Sequence, residues 1–183
     1  MTSGPGPELS AALALIADVP DFPEPGILFK DITPLLDDHA ALTAVIDALA
    51  APGRDESGRP VVDKVLGMES RGFILGAPVA LALGVGFVPV RKAGKLPRAT
   101  YAVSYALEYG EATLEVHQDA LRPGERVLLV DDVLATGGTA KATMELVERC
   151  GASVHAVAML MELGFLHGRD ALGDVELTTL MTV

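Results

Sequence analysis

Cysteine is nearly absent from this 183-residue sequence, in which Cys150 is the only one. An intrachain disulfide is therefore excluded, which favours a reducing compartment, and we interpret Cys150 as a small buried apolar residue. The opening residues, MTSGPGPELS, also lack the basic and apolar segments of a signal peptide. We therefore expect a cytoplasmic protein.

Positive charge is scarce as well. The sequence has 14 basic and 25 acidic residues, a net charge of -11, which argues against a nucleic-acid partner. Half of the residues are hydrophobic and 21% are charged, so the chain can fill a core. Its length fits one well-buried domain, and we predict a single domain over residues 1–183.

The longest stretch without charge, residues 72–90, is interrupted by proline and glycine. Pro78, Pro89 and the glycines at 72, 76, 84 and 86 favour a helix followed by a short strand in a buried core, rather than a membrane span. We expect no membrane partner.

Apolar strands alternate with helical stretches through most of the chain. This rhythm predicts an α/β fold with a central parallel β-sheet flanked by helices. The predicted strands cover residues 61–66, 85–90, 127–130, 154–161 and 175–180, and the predicted helices cover 73–83 and 139–150.

Two segments depart from this rhythm. Residues 8–36 combine an amphipathic helix, over 8–19, with a proline-stiffened arm over 20–36, and a further helix is predicted over 38–51. Residues 93–117 contain two alternating stretches, 101–107 and 112–116, which predict an antiparallel hairpin. A long excursion of this kind is often a mobile flap over an active site.

The sequence VLLVDDVLATGGT carries the clearest chemistry. Its Thr136-Gly137-Gly138-Thr139 lies between a predicted strand and a helix, where backbone N–H groups and a helix dipole can bind an anion. It matches neither the Walker loop nor the GxGxxG fingerprint, which disfavours ATP hydrolysis and NAD chemistry. Asp131 and Asp132 would repel a phosphate but can bind sugar hydroxyls, so the ligand is interpreted as a sugar phosphate. An ordinary strand-to-helix turn is the alternative.

Basic residues gather in two short segments of this acidic chain. The first segment, GMESRGF, contains Arg71. The second, RKAGKLPR, contains Arg91, Lys92, Lys95 and Arg98. Such a cluster can attract a small polyanion, although charge runs are more often solvated loops.

VLLVDDVLATGGT resembles the phosphoribosyl-pyrophosphate (PRPP) signature of the type I phosphoribosyltransferases. The resemblance implies that family's fold, with Asp131 and Asp132 on the ribose hydroxyls. It also implies a loop around the 5-phosphate, here called the phosphate loop, made of Ala135, Thr136, Gly137, Gly138 and Thr139.

Four further segments, FPEPGILFKDITPLL, ESRGF, VPVRKAGKLPR and LEYGEATLEV, are similar in order to the adenine-specific members of that family. The similarity implies transfer of ribose 5-phosphate from PRPP to N9 of adenine, with Mg²⁺ held mainly through PRPP, by a homodimer. It implies that pyrophosphate is bound by Ser70, Arg71, Arg91 and Lys95. It implies that the arm forms a hood in which adenine is bound by Leu28, Phe29 and Lys30. The catalytic residues that it implies are Arg71 and, from the flap, Glu108 and Tyr109.

Several alternatives stay open on the residues alone. Phe29 could seal the core instead of stacking on a purine, and Glu108 could be a surface carboxylate in a hairpin turn. Related 6-oxopurine enzymes have an aspartate where Ala135 stands, which favours a 6-aminopurine here. A xanthine phosphoribosyltransferase and a PRPP-sensing regulator are the rival functions, and the segment before Pro20 is too short for a helix-turn-helix domain.

Overall fold

The structure is a computed structural model that describes residues 6–106 and 110–183. The chain divides into two compact units, Met1–Ala48 and Leu49–Val183. Each unit is described by itself below.

The first unit contains the N-terminal helix and the proline-rich arm. Its elements are α1 (Pro7–Leu13), β1 (Ala17–Pro20), β2 (Leu28–Asp31), α2 (Thr33–Asp37) and all but the last two residues of α3 (His39–Ala50). The helix predicted over 8–19 ends early because Ala17–Pro20 pairs with β2 as an antiparallel strand, with Val19 opposite Phe29. The arm is extended as predicted only in part, since residues 33–37 form α2. Asp31 accepts hydrogen bonds from the backbone N–H and the hydroxyl of Thr33, the first residue of that helix.

The second unit is built on a seven-stranded sheet with the strand order β5-β6-β4-β3-β7-β8-β9. Strands β4, β3, β7, β8 and β9 are parallel to one another, and the β5–β6 hairpin adds an antiparallel edge. The elements are β3 (Lys64–Met68), α4 (Arg71–Leu83), β4 (Gly86–Lys92), β5 (Thr100–Ala106), β6 (Glu111–His117), β7 (Arg126–Leu134), α5 (Gly138–Arg149), β8 (Ser153–Glu162) and β9 (Glu176–Thr182).

Helices cover both faces of this sheet. Leu66 and Met68 of β3 belong to the same buried cluster as Leu146 and Val147 of α5. Gly67, whose position alternates with theirs, faces the other side, where it meets the start of α4. The α/β architecture predicted from the sequence is therefore confirmed.

The differences from the prediction lie at element ends. The first strand of the sheet begins at Lys64, not Val61, because the Val61 N–H is bonded to the Gly53 carbonyl 2.9 Å away. The β7 strand continues to Leu134, since pairing with β8 extends to Glu162. Cys150 is buried, as predicted, and burial raises the pKa of its thiol.

The charge-free stretch over 72–90 forms α4 and most of β4, separated by Gly84 in a left-handed conformation. Among residues 6–106 and 110–183, no helix has the length and apolar character needed to cross a membrane.

Candidate functional site

Strand register brings three of the predicted binding segments to one edge of the sheet. Gly67 of β3 is paired with Pro89 of β4 on one side and with Val130 of β7 on the other. Because these strands are parallel, their carboxyl ends reach the same edge, which is where α/β sheets bind ligands. Glu69, which follows β3, therefore lies beside Arg91 and Asp131, which are in the last residues of β4 and β7.

The two adjacent acids of β7 are both buried, with Asp131 8% and Asp132 6% exposed. The Asp132 N–H donates to Asp131 Oδ1 over 2.9 Å, and Asp132 forms an ion pair with Arg71. Burial, and then the neighbouring Asp132 carboxylate, raise the pKa of Asp131 well above its ordinary value. The ion pair with Arg71 reduces the net negative charge that Asp132 presents to a polyanionic ligand.

Gly72, in the first turn of α4, allows this close approach. A Cβ at this position would lie 2.9 Å from Asp131 Oδ1 and 3.0 Å from the Val130 carbonyl. The Gly72 carbonyl in turn would meet a Cβ on Gly67 at 2.4 Å. Small residues on both elements thus let Arg71, which precedes Gly72, reach Asp132. Ser70 is exposed and immediately precedes α4.

The phosphate loop connects β7 to α5. Gly137 has a φ of 82°, which only glycine adopts without strain, and α5 begins at Gly138. The first N–H groups of a helix have no partner within the helix and carry the positive end of its dipole. The loop therefore has the geometry that binds a phosphate monoester through backbone donors.

Tyr105, on β5, covers one side of this loop. Its hydroxyl lies 3.0 Å from Thr139 Oγ1 in a hydrogen bond, and its ring would be 3.0 Å from a Cβ on Gly138. The first strand of the predicted flap thus contacts the phosphate loop directly.

A second group, the Glu69 cluster, consists of Glu69, Arg91 and Lys95. The Glu69 carboxylate accepts hydrogen bonds from Arg91 Nε at 3.3 Å, from the Lys92 N–H at 3.1 Å and from Lys95 Nζ. The hydrogen bond from Lys95 is the largest of the influences that lower the pKa of Glu69. The guanidinium of Arg91 also lies 5.9 Å from the ring centre of Phe73. Two cations predicted to bind diphosphate are therefore held together by one carboxylate.

Not every predicted residue joins this edge. Arg98 forms an ion pair with Asp119 instead of joining the Glu69 cluster. Glu108 and Tyr109 lie outside the described residues.

The predicted adenine-binding residues lie on β2 of the first unit. Leu28 is 51% exposed, and the Phe29 ring packs edge-on against Phe22 with 5.2 Å between ring centres. The Lys30 side chain is bonded to Asp18 over 2.6 Å, and Lys30 is also opposite Asp18 in the β1–β2 pair. An exposed leucine and a half-buried phenylalanine on a short strand provide an apolar surface of the kind a purine needs.

Three residues of the site were not predicted from the sequence. They are Glu69, Tyr105 and a third residue, Gly168, whose backbone lies against the phosphate loop. Glu69 is adjacent to Ser70 in ESRGF, so an acid beside a predicted anion site was a usable signal. No local pattern marks Tyr105 or Gly168, because each reaches the loop only through the folding of a distant segment.

Comparison with known proteins agrees with this geometry. Residues 34–170 match the phosphoribosyl transferase domain family. The chain is 86% identical to the adenine phosphoribosyltransferase of a Nocardioides species, over 98% of each chain, and 58% identical to that of Thermobifida fusca, over 92% of this chain and 93% of the relative.

Solved structures give the same result. The adenine phosphoribosyltransferase of Thermoanaerobacter pseudethanolicus superposes with a TM-score of 0.88 at 47% identity, covering 96% of this chain and 99% of the other. The Saccharomyces cerevisiae enzyme, in complex with adenine and an iminoaltritol bisphosphate, gives 0.89 at 40% identity, covering 94% and 98%. The chain therefore belongs to the adenine phosphoribosyltransferases, a family of pentosyl-transferring glycosyltransferases.

Proposed function

We propose that this chain, as a member of that family, transfers the 5-phosphoribosyl group of PRPP to N9 of adenine, with AMP and pyrophosphate as products, in purine salvage. The observation that carries the proposal is the shared sheet edge, where the phosphate loop, the buried Asp131–Asp132 pair and the Glu69 cluster lie side by side. These three groups match the three parts of PRPP, its 5-phosphate, its ribose hydroxyls and its diphosphate.

The donor is held by contacts of different kinds. The backbone N–H groups of the phosphate loop, with the hydroxyls of Thr136 and Thr139, bind the 5-phosphate. Asp131 and Asp132 accept hydrogen bonds from the ribose hydroxyls. Arg91 and Lys95, with Ser70 and Arg71 at the start of α4, bind the diphosphate, whose negative charge grows as its bond to C1 breaks.

The acceptor is bound by the arm. Phe29 stacks on adenine, Leu28 lines the same surface, and the backbone of Lys30 reads the exocyclic amine. Glu108 manages the proton on adenine N7 or N9, and Tyr109 is the second catalytic residue of the flap. Correct placement of N9 opposite C1 is worth more than any single proton transfer, because the reaction is mainly one of positioning and electrostatics.

The residues at the edge fit a role for Mg²⁺. This ion usually keeps several waters and is bound by one or two carboxylates together with substrate phosphates. Within residues 6–106 and 110–183, no three His, Cys, Asp or Glu side chains form a ligand set, so PRPP itself would supply most of the oxygens, beside Asp131 and Asp132. When bound, the ion neutralises charge on the diphosphate.

The decisive experiment is conversion of labelled adenine into AMP with PRPP and Mg²⁺, repeated without each component. We expect AMP and pyrophosphate in equal amounts. Glu108→Gln should lower kcat with less effect on the KM for PRPP. If the unmutated protein forms no AMP, the proposal is wrong.

Substrate competition separates this activity from the rival base specificity. With PRPP limiting, adenine should be converted to AMP even in the presence of excess xanthine, and xanthine alone should yield no nucleotide. For a PRPP-sensing regulator, a gel shift at low salt would show a complex with DNA, whereas a net charge of -11 predicts none.

We also propose that the protein is a homodimer in which α4 contributes to the interface. Ile74 and Leu81 are spaced by seven residues on that helix, and they are 46% and 83% exposed. An exposed apolar stripe on a helix favours association with another protein surface. Leu81→Glu should convert the dimer to a monomer in sedimentation equilibrium, whereas Ile27→Glu, an equal charge change at another exposed apolar residue, should not.

A cytoplasmic location is proposed on chemical grounds. A single buried cysteine cannot form an intrachain disulfide and needs no oxidising compartment. Immunodetection in separated cell fractions would test it.

A further inference from the structure

The segment Gly164–Leu172, here called the backing segment, follows β8 and forms two short 3₁₀ turns. It lies directly against the phosphate loop, backbone to backbone. A Cβ on Gly168 would be 2.1 Å from the Ala135 carbonyl oxygen and 3.0 Å from the Gly137 nitrogen. A Cβ on Gly137 would likewise be 2.4 Å from the Gly168 carbonyl oxygen. No side chain can fit between the two segments at this point.

An ion pair ties the backing segment to the end of β8. Arg169 donates from Nη2 to one oxygen of Glu162 over 2.6 Å and from Nε to the other over 3.2 Å. This two-point geometry fixes orientation as well as distance. The Glu162 side chain is only 8% exposed, and it also accepts a hydrogen bond from the Thr179 hydroxyl on β9. The pair therefore connects the backing segment to two strands of the sheet.

Backbone bonds place the start of the backing segment next to the start of the phosphate loop. The Leu163 N–H donates to the Leu134 carbonyl over 2.9 Å, and Leu134 immediately precedes the loop. At the other end, Leu172 is buried in the same core cluster as α5. The backing segment is thus anchored at both ends and in the middle.

A loop that binds phosphate through backbone N–H groups must hold those groups in place before the ligand arrives. Glycines make this difficult, because they leave the unbound loop with many accessible conformations. Contact with a rigid neighbour removes that freedom, and displacement of a binding group by about 1 Å can cost on the order of 100-fold in rate.

We propose that Gly168 and the Glu162–Arg169 pair are positioning residues for PRPP, which act by holding the phosphate loop in its binding conformation. This inference rests on the proposed assignment of that loop to the 5-phosphate. It predicts that changes in the backing segment weaken the binding of the 5-phosphate and leave the diphosphate site, at the Glu69 cluster, unaffected.

The test compares the binding of two ligands by calorimetric titration of the full chain. Ribose 5-phosphate probes the phosphate loop, and pyrophosphate probes the Glu69 cluster. Arg169→Ala should weaken ribose 5-phosphate binding about tenfold, and Arg169→Lys, which keeps the charge without the two-point geometry, should have an intermediate effect. Both should leave the affinity for pyrophosphate and the KM for adenine unchanged while the KM for PRPP rises.

Gly168→Ala should have the larger effect, about 100-fold on ribose 5-phosphate, because its Cβ displaces the Ala135 carbonyl. Gly86→Ala is the matched control, since the nearest atom to its added Cβ is 3.8 Å away. If Gly168→Ala fails to fold, the graded pair at Arg169 decides the question alone, because Arg169 is half exposed.

The possible outcomes distinguish failure of this inference from failure of the proposed function. Unchanged ribose 5-phosphate binding in the Arg169 variants would overturn this inference, as would an equal loss of pyrophosphate affinity, which indicates general destabilisation. If the unmutated protein binds pyrophosphate but not ribose 5-phosphate, the assignment of the phosphate loop is itself wrong, and the inference falls with it.

Discussion

In the proposed function, the phosphate loop and the Glu69 cluster bind anions by different means. The loop uses backbone groups that are buried against glycines and held by neighbouring backbone, as at Gly137 and Gly168. The cluster uses long cationic side chains, Arg91 and Lys95, which in this structure are bonded to a carboxylate. Binding at the loop therefore depends on the shape of its backbone. Binding at the cluster depends on replacement of the Glu69 carboxylate by the anionic ligand.

This difference suits the reaction. The 5-phosphate remains on the ribose from substrate to product, so a fixed site serves every step. The diphosphate leaves, so its site must release an anion as well as bind one. In the proposed function, the Glu69 carboxylate would return to Arg91 and Lys95 when the diphosphate leaves, and would stabilise the vacated site by pairing with both cations.

The largest expected effect comes from filling the phosphate loop. Gly137→Ala introduces a Cβ at a φ of 82°, 2.4 Å from the Gly168 carbonyl oxygen. We expect kcat/KM for PRPP to fall about 100-fold or more, since the N–H groups are displaced. Steady-state kinetics would measure it, with Gly86→Ala as the control. Activity within twofold of the unmutated protein would show that the loop is not shape-dependent.

Asp131→Asn comes next, and its effects on binding and stability have opposite signs. The variant should bind PRPP about tenfold more weakly, because a charged partner of a sugar hydroxyl is lost. The pKa of Asp131 is raised by burial and by Asp132, so ionisation destabilises the folded protein once the pH exceeds the unfolded value of about 4.

Thermal unfolding at several pH values checks the sign of the effect on stability. The variant should unfold at a higher temperature than the unmutated protein at pH 8, and the difference should vanish towards pH 4. Asp174→Asn, at an exposed carboxylate, should show no such pattern. A lower unfolding temperature for Asp131→Asn at pH 8 would contradict the burial argument.

Glu69→Gln tests the second of the two sites, the Glu69 cluster. If Glu69 competes with the diphosphate for Arg91 and Lys95, the variant should bind pyrophosphate several-fold more tightly, by about three- to tenfold. Glu115→Gln is the control, since Glu115 accepts a hydrogen bond from the Gly94 N–H in the same region. Weaker pyrophosphate binding would mean that Glu69 helps to hold the ligand instead.

The same variant has a pH signature. Hydrogen bonds from Lys95 and its neighbours lower the pKa of Glu69, so its stabilising contribution is present above the unfolded value of about 4.3 and is lost as the pH falls through the lower folded value. Glu69→Gln should therefore unfold at a lower temperature than the unmutated protein at pH 7, with a shrinking difference below pH about 4.

Tyr105→Phe should have the smallest effect. It removes the hydrogen bond to Thr139 but keeps the ring against Gly138, so we expect a loss of about two- to fivefold in kcat/KM for PRPP. Tyr101→Phe, on the same strand, is the matched control. A larger loss would indicate that the hydroxyl contacts the ligand.

The strand and helix pattern was predictable because apolar periodicity in this chain is strong and local. Strands β3, β4, β7 and β8 and helices α4 and α5 were all predicted, with errors only at their ends. The pairing of Ala17–Pro20 with β2 was not, because it depends on partners about 8 to 14 residues away that carry no clear alternation. The extension of β7 to Leu134 depends in the same way on β8.

By itself, the sequence determined which residues could bind PRPP, since an acid pair before a glycine loop is a local pattern whose spacing sets its chemistry. Only the tertiary structure decided how they are held: that Arg71 pairs with Asp132, that Glu69 joins Arg91 to Lys95, and that Gly168 supports the phosphate loop. The physical reason is that these contacts join residues 22 to 61 positions apart, or backbone atoms with no side chain to mark them. Parallel strand register brings them together.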